Sequence, residues 1–332
     1  MSDWAGKSVF LTGATGFLGG VIARELATRG AHVKALARRP ERDKYLKGLA
    51  NLEIVQGDLS DSASLADFMR GCEIVIHGAA QLGGAYQVQH GPNVIGTHNM
   101  AQAAAQAGIK RFVHISSVAV YGPRIPTVLT EDGRLNPGLN PYNQTKAEAE
   151  TALKEVAHQT GLPYTIIRPG MIYGPRSGAW TYTLFRIASR RPLFFVGNGS
   201  GSAYTIFVDD VADLVLTAAL HPAAENQAFN AVDDPAPTWR EFMGGYAALA
   251  RNTSWVSIPP AILRPVAVLI EAFLYLRGEP QNLPVLMNDF FLPRKRISMD
   301  KARTLLNWQP RVSLADGIAR CEPYLREKGL LR

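Results

Sequence analysis

Short apolar runs alternate with longer amphipathic segments through the first half of the chain. The apolar runs predict strands at 8–12, 32–37, 52–55, 73–77, 112–116 and 164–168. The segments between them predict helices at 17–29, 60–69, 93–107 and 142–158. This alternation is typical of right-handed βαβ units, in which helices cover both faces of a parallel sheet. The sequence therefore predicts an α/β fold with a doubly wound parallel sheet.

The pattern changes after about residue 174, where Gly, Pro and aromatic residues become more frequent. A strand, a helix and another strand return around 205–231, and we expect them to rejoin the sheet. We therefore assign residues 1–174 plus 205–232 to one cofactor-binding domain. Residues 175–204 plus 233–332 are assigned to a smaller substrate-binding cap.

Composition and charge narrow the possible classes of protein. The chain has 332 residues, of which 47% are hydrophobic and 19% are charged, so a disordered chain is excluded. Cys72 and Cys321 are far apart and no His residues lie at metal spacing, so we predict neither a disulfide framework nor a metal site. No signal-peptide pattern opens the chain, and we expect a cytoplasmic protein. The net charge of +7 leaves nucleic acid, an anionic membrane or an anionic small ligand open as partners.

A glycine-rich turn lies between the first predicted strand and the first predicted helix. Gly13 suits a tight turn, Gly16 allows close approach of a pyrophosphate, and Gly19 allows close packing of helix and strand. The N-terminus of the helix then offers free N–H groups to phosphates. We predict that this turn binds a dinucleotide through Thr12, Gly13, Thr15, Gly16, Phe17, Leu18 and Gly19.

The end of the second predicted strand bears on the choice between NAD and NADP. Proteins that bind NAD usually place an acid there to hold the ribose 2′-hydroxyl, but this strand ends in Ala37-Arg38-Arg39. Arg38, helped by Arg39 or Lys44, can instead hold a 2′-phosphate. The sequence therefore predicts NADP(H) as the preferred cofactor and leaves NAD(H) possible.

Candidate catalytic residues follow in the expected order along the chain. Tyr142 and Lys146 are four residues apart, so they share one face of a helix, and the lysine ammonium is expected to lower the tyrosine pKa. The tyrosine can then exchange a proton with an alcohol or ketone. Ser116 and Ser117 end a predicted strand, where parallel sheets bind ligands. A second pair, Tyr324…Lys328, lacks the serines and the preceding Pro-rich loop, and we interpret it as an exposed helix face.

With these residues the chain resembles the extended short-chain dehydrogenase/reductase family, in its epimerase/dehydratase-like group. Within that family, the pattern of the C-terminal part most resembles the 3β-hydroxysteroid dehydrogenase and dihydroflavonol-reductase-like branches. The resemblance covers nearly the whole chain and implies a Rossmann fold. Its motifs lie at 12–19, 57–59, 77–80, 93–97, 116–122, 142–146, 168–175 and 208–212.

The resemblance also implies roles for individual residues. Ser117 would be the catalytic serine, with Ser116 as the alternative, Tyr142 the proton donor or acceptor, and Lys146 its activator. Further cofactor contacts implied for this chain are Asp58, Leu59, Ala79, Ala80, Asn93, Pro169 and Met171. Many relatives form homodimers through the helices that correspond to 93–107 and 142–158. His77 and His114 lie within predicted strands, and we interpret them as buried structural residues.

Two features of the second half bear on the substrate. Nucleotide-sugar members of the family usually carry an arginine where this chain has Ala203, although Arg176 or Arg186 can serve an anionic group instead. The segment 258–276 is almost entirely apolar, which suits a helix over a hydrophobic substrate. The same segment can instead pack on the core, or make shallow membrane contact together with the basic residues 294–296.

We therefore predict an NADP(H)-dependent oxidoreductase that interconverts a secondary alcohol and a ketone on a lipophilic sterol-, flavonol- or acyl-like substrate. One alternative is a nucleotide-sugar 4-epimerase or dehydratase, and a non-enzyme alternative is a cofactor-binding structural or sensor subunit. No nucleic-acid-binding motif accompanies the basic charge, so we predict a small-molecule partner and no nucleic acid. A homodimer and a peripheral membrane location remain possible.

Overall fold

The computed structural model describes residues 3–40, 45–277, 291 and 294–331. Its strands are β1 (Ser8–Thr12), β2 (His32–Ala37), β3 (Leu52–Gln56), β4 (Ile74–His77), β5 (Arg111–Ile115), β6 (Val128–Leu129), β7 (Tyr164–Pro169), β8 (Met171–Tyr173), β9 (Leu193–Val196), β10 (Thr205–Phe207), β11 (Gln227–Ala231), β12 (Trp255–Ile258) and β13 (Arg296–Ile297). A seven-stranded parallel sheet has the order β11-β7-β5-β4-β1-β2-β3. The predicted doubly wound α/β fold is confirmed.

Helices cover both faces of this sheet. The helices are α1 (Phe17–Thr28), α2 (Ser62–Phe68), α3 (Tyr86–His90), α4 (Gly96–Gln106), α5 (Pro141–Thr160), α6 (Leu184–Ala188), α7 (Val208–Leu220), α8 (Trp239–Leu249), α9 (Pro260–Leu276), α10 (Asp300–Leu306) and α11 (Leu314–Glu327). Successive residues of β1 point to opposite faces, as in any strand. Leu11 packs in the core that contains α1 and α7, whereas Phe10 packs in the core that contains α2, α4 and α5.

The predicted strands and helices of the first half all occur, with shifted boundaries. The segment predicted as one helix at 93–107 instead begins inside a π-helical turn at Gly91–Ile95, which follows α3, and it continues as α4. The predicted helix at 60–69 shortens to α2. Of the two strands expected to rejoin the sheet, β11 does so beside β7, whereas β10 pairs with β8 outside it.

Small strand pairs join the second half of the chain to the first. β6 lies within the first predicted domain, yet it pairs with β13 of the predicted cap. β9 and β12 form another two-stranded parallel pair, which continues through Pro259 into α9. The domain boundaries given above stay a prediction.

None of the helices within the described ranges is long and apolar enough to cross a membrane.

Candidate active site

A cleft of about 400 Å³ opens along the carboxyl ends of the central strands. This is the edge of a parallel sheet at which ligands bind in doubly wound folds. The predicted site residues that line it are Thr12, Gly13, Thr15, Gly16, Phe17, Leu18, Gly19, Arg38, Asp58, Leu59, Ala79, Ala80, Ser117, Tyr142, Lys146 and Pro169. The fold thus brings the predicted cofactor and catalytic residues together, and their individual roles stay predictions.

Four predicted cofactor residues are not among the described residues that line the cleft. Lys44 lies outside the described residues. Arg39 is exposed beside the cleft, and Met171 is buried in β8. Asn93 is buried behind the cleft wall, where its side-chain oxygen accepts the N–H of Gln81 at 2.7 Å. Because Gln81 itself lines the cleft, the structure places Asn93 as a support of that wall.

The glycine turn has the geometry that a dinucleotide requires. Gly13 has φ +78°, and a Cβ there would lie 2.7 Å from the carbonyl carbon of Gly78. A Cβ on Gly19 would lie 2.1 Å from the carbonyl oxygen of Gly13, so helix and turn pack too closely for any side chain. α1 begins after Gly16 with no side-chain cap and no acidic residue in its first turn. Its N–H groups and its partial positive charge therefore fit a pyrophosphate.

The far end of the cleft brings one cation and one anion together. The carboxylate of Asp58 accepts the backbone N–H of Ser60 at 2.9 Å and the Ser60 hydroxyl at 2.8 Å. These hydrogen bonds lower the pKa of Asp58, and the positive charge of Arg38 adds to the effect. Arg38 is exposed and unconstrained by any ion pair in the described part of the chain, which leaves its guanidinium available to a ligand.

Local capping places the candidate catalytic tyrosine at the start of α5. The side chain of Asn140 accepts the N–H groups of Tyr142 and Asn143, and Pro141 is the first helical residue. Both features favour a helix that begins at this point. Ser117 accepts the N–H of Ala119 at 3.1 Å and hydrogen-bonds to Tyr142.

The expected lowering of the Tyr142 pKa is wrong for this structure. Burial raises the pKa of Tyr142, and the hydrogen bond with Ser117 opposes this only in part. Burial also lowers the pKa of Lys146 to about 8, although Glu150 opposes the shift. The lysine Nζ donates to the carbonyl oxygen of Ile115 at 2.5 Å. With its pKa raised, Tyr142 holds a proton at neutral pH that a ketone oxygen could accept.

A buried ion pair behind the cleft was not predicted from the sequence. Arg168 binds Glu150 with two hydrogen bonds of 2.9 and 2.7 Å, and Glu150 is fully buried. Ser116 donates to the same carboxylate at 2.6 Å. The hydroxyl of Ser116 is therefore bound to Glu150, whereas Ser117 is the serine beside Tyr142. A signal was present in the sequence, since Glu150 lies four residues after Lys146 on the same helix face.

His77 and His114 are buried in the sheet and do not line the cleft, which confirms their predicted burial. Both ring nitrogens of His77 are hydrogen-bonded, to Thr12 and Thr97. His114 stacks on His77 at 5.6 Å, and neither of its nitrogens has a hydrogen-bond partner among the described residues. These histidines therefore contribute to the core rather than contact a ligand.

The substrate end of the cleft carries little positive charge. Arg176 donates to the carbonyl oxygen of Gly16 and stacks on Tyr45, and Arg186 lies on α6 over a tyrosine ring. Neither arginine lines the cleft. Among the described lining residues, Arg38 and Lys146 are the only cations. No residue of α9 is among the described residues that line the cleft.

Comparison with known proteins identifies the family. The family model for the NAD dependent epimerase/dehydratase family matches residues 9–231. A UDP-glucose 4-epimerase of Mycolicibacterium smegmatis is 32% identical over 96% of this chain and 98% of that protein. A 2-alkyl-3-oxoalkanoate reductase of Stenotrophomonas maltophilia is 29% identical over 94% of this chain and 97% of that protein.

The fold comparison agrees with the sequence comparisons. The crystal structure of gox2253 superposes with a TM-score of 0.83 at 25% identity, covering 98% of this chain and 100% of that chain. The seven-stranded sheet, the glycine turn and the Ser117, Tyr142 and Lys146 cluster thus occur together in a chain that matches an enzyme family along most of its length. The protein is an enzyme that belongs to the NAD dependent epimerase/dehydratase family.

Proposed function

We propose that this enzyme is an NADP(H)-dependent reductase of ketones on a lipophilic, acyl-like substrate. The observation that carries the proposal is the scarcity of cations along the described cleft, where only Arg38 and Lys146 occur. Arg38 lies at the cofactor end, and Lys146 donates to the carbonyl oxygen of Ile115. Near Tyr142 the described lining therefore offers a substrate diphosphate no cation besides Lys146, and Ala203 is buried where nucleotide-sugar members of the family usually carry an arginine.

The residues around Tyr142 can support the reduction of a ketone. A bound nicotinamide cofactor supplies the hydride. Tyr142, whose pKa burial raises, holds the proton that a ketone oxygen gains on reduction to an alcohol. Ser117 hydrogen-bonds to Tyr142 and can polarise the same oxygen. Epimerisation at a carbinol would instead begin with removal of a proton from the hydroxyl and would return the hydride to the same substrate, so net consumption of NADPH distinguishes the two reactions.

Arg38 supports the choice of NADP(H). It follows β2 directly, at the position where a side chain meets the adenine ribose in this fold. No acid occupies that position to repel a 2′-phosphate or to hold a 2′-hydroxyl. A guanidinium is well suited to bind a phosphate through charge-assisted hydrogen bonds.

The relatives support an oxidoreductase, and they also support an epimerase as the competing function. The similarity to a 2-alkyl-3-oxoalkanoate reductase over nearly the full length favours a ketone next to an alkyl chain. The similarity to a UDP-glucose 4-epimerase, at 32% identity, favours redox-neutral epimerisation of a nucleotide sugar. Ala203, which is fully buried at the position of the usual arginine, weighs against the second candidate.

The test supplies the purified enzyme with NADPH and a series of 3-oxo acyl compounds of increasing chain length, and separately with UDP-glucose. We expect NADPH consumption that rises with chain length and no conversion of UDP-glucose. Tyr142→Phe should lower kcat by about 10²- to 10⁴-fold, the usual contribution of a positioned acid. Tyr324→Phe, in the second Tyr-x-x-x-Lys pair, is the matched control and should leave kcat unchanged. Conversion of UDP-glucose without net loss of NADPH would overturn the proposal in favour of the epimerase.

A further inference from the structure

α9 carries a large apolar surface that the described fold leaves exposed. Ala267 is its only buried residue. The exposed fractions of Leu269, Phe273 and Leu276 are 71%, 57% and 85%. Single exposed apolar side chains are common on proteins, but a contiguous set along one helix indicates a binding surface.

Most of the circumference of α9 is apolar. Its less exposed residues, Leu263, Ala267, Glu271 and Leu274, recur at intervals of three or four and so form one face toward the protein. The other faces are almost entirely apolar, with Arg264 as the exception. A helix that is apolar nearly all round is normally buried in a core or in lipid. At 17 residues α9 is about 25 Å long, which is too short to cross a bilayer and long enough to lie in its surface.

The strand pair that leads into α9 extends this surface. Phe194 of β9 lies beside Val256 of β12, and both side chains are exposed. Trp255 is also exposed and carries the guanidinium of Arg240 over its ring at 3.7 Å. An exposed tryptophan beside an arginine is typical of residues at a lipid–water boundary. We call α9 together with the exposed residues of β9 and β12 the α9 surface.

The two segments that contain the α9 surface are strongly basic in sequence. Segments 186–199 and 251–277 contain a single acidic residue, Glu271. Their basic residues are Arg186, Arg190, Arg191, Arg251, Arg264 and Arg277. These two segments therefore supply most of the net charge of +7. A second copy of the chain would bring the same positive charge to the interface, whereas an anionic bilayer would bring the opposite charge.

We propose that the α9 surface binds the surface of an anionic lipid bilayer. α9 would lie in the plane of the membrane with Leu269, Ile270 and Phe273 at the boundary of headgroups and acyl chains, and the arginines would meet lipid phosphates. The combination of apolar area and positive charge identifies an anionic bilayer as the binding partner of this surface, whatever reaction the enzyme catalyses. The inference is therefore independent of the proposed function.

The test is vesicle flotation of the full chain, without substrate or cofactor. One set of vesicles contains equal parts of phosphatidylglycerol and phosphatidylcholine, and the other contains phosphatidylcholine alone. We expect flotation with the anionic vesicles, little with the neutral ones, and weaker binding at high salt. Leu269→Glu and Phe273→Glu should each weaken binding about tenfold or more, because each removes a buried apolar side chain from the lipid. Arg264→Gln should weaken it about fivefold and reduce its salt dependence.

The matched control is Val88→Glu, which places the same charge at an exposed valine on α3. We expect wild-type binding from this variant. Because all of the substituted side chains are exposed, the thermal unfolding of each variant should match that of the wild type. Equal flotation with neutral and anionic vesicles, or wild-type binding by Phe273→Glu, would overturn the proposal. A wild-type dimer that Phe273→Glu converts to a monomer would assign the surface to a second copy and would also overturn it.

Discussion

At the scale of single residues, burial rather than a neighbouring charge determines the protonation of Tyr142. Proximity in the sequence to Lys146 predicts a lowered tyrosine pKa, yet burial raises it. The lysine donates to the carbonyl oxygen of Ile115, and its own pKa falls to about 8. The spacing of the pair was readable from the sequence, but the desolvation of both groups depends on how β5, β7 and α5 close around them.

The lowered pKa of Lys146 predicts a pH limit on ketone reduction. The ammonium favours the tyrosinate that remains when Tyr142 gives up its proton, and this help is lost as pH rises through about 8. We expect kcat for reduction to be level below this pH and to fall by up to about tenfold per pH unit above it. Lys146→Arg, which stays protonated, should remove the fall. A wild-type profile without a decline above pH 8 would contradict this role.

Arg38 and Arg39 are adjacent in the sequence but differ in their surroundings, so Arg39 serves as a control for the role of Arg38 in cofactor binding. Arg38 lines the cleft and Arg39 does not. We expect Arg38→Ala to weaken NADPH binding by about 10- to 100-fold, the loss of a hydrogen bond to a charged group, and to change NADH binding little. Arg39→Ala should have a much smaller effect on either cofactor. Equilibrium titration of both cofactors measures this, and an equal loss for NADPH and NADH would rule out a 2′-phosphate contact.

At the scale of elements, one buried ion pair joins three parts of the cleft wall. Glu150 of α5 binds Arg168 of β7 and Ser116 at the end of β5. Burial lowers the pKa of Arg168, but the hydrogen bonds and charge of Glu150 outweigh it and raise the pKa above its usual value. Arg168 also donates to the Tyr121 hydroxyl at 2.7 Å. The network therefore holds the catalytic helix in place against the two strands beside it.

Removing the charge of one partner of this ion pair should destabilise the folded protein. Glu150→Gln leaves the Arg168 charge buried without its partner, so we expect the free energy of unfolding to fall by about 3–5 kcal/mol. The exposed Glu155 on the same helix is the matched control, and Glu155→Gln should have little effect. Urea unfolding measures both. A Glu150→Gln variant as stable as the control would show that the ion pair does not hold α5.

The elements that could be predicted are those with strong local patterns. β1 to β5, β7, α1 and α5 follow from apolar periodicity and from glycine, proline and asparagine signals. The pairs β6–β13 and β9–β12 could not be predicted, because each joins short segments far apart in sequence whose pairing depends on the tertiary fold. The π-helical turn before α4 likewise has no period that distinguishes it from an α-helix.

At the scale of the whole molecule, the sheet and the cleft were predictable, and the arrangement of the second half was not. The apolar segment 258–276 was expected to cover the cofactor, pack on the core or contact a membrane, and the structure leaves α9 largely exposed and away from the cleft. Periodicity identifies a helix of this kind, but only the fold shows which of its faces lacks a partner. A homodimer through α4 and α5 stays a prediction.

The two buried histidines predict acid sensitivity of the whole fold. Burial lowers the pKa of His77 to about 3 and that of His114 well below its usual value. Below about pH 6.5 the unfolded chain therefore binds protons that the native chain does not, and stability falls as pH falls. Each histidine contributes a slope of up to about 1.4 kcal/mol per pH unit. Above about pH 6.5 the stabilising contribution of the two neutral, buried histidines is fully present.

His114→Phe tests this because His114 has no hydrogen-bond partner among the described residues. We expect the variant to lose about half of the histidine-dependent slope of unfolding free energy between about pH 5 and 6.5. His32→Phe, at an exposed position of β2, is the control and should keep the wild-type slope. An unchanged slope in His114→Phe would contradict the account of the buried pair.

The most direct test of ketone reduction is the fate of the transferred hydrogen. The wild-type enzyme is supplied with a long-chain 3-oxo acyl compound and with NADPH that carries deuterium at the transferred position of the nicotinamide ring. We predict that deuterium appears on the carbinol carbon of the product in the same amount as NADP⁺ is formed, and that Tyr142→Phe nearly abolishes both. Unlabelled product, or turnover of a nucleotide sugar with no net formation of NADP⁺, would contradict the account.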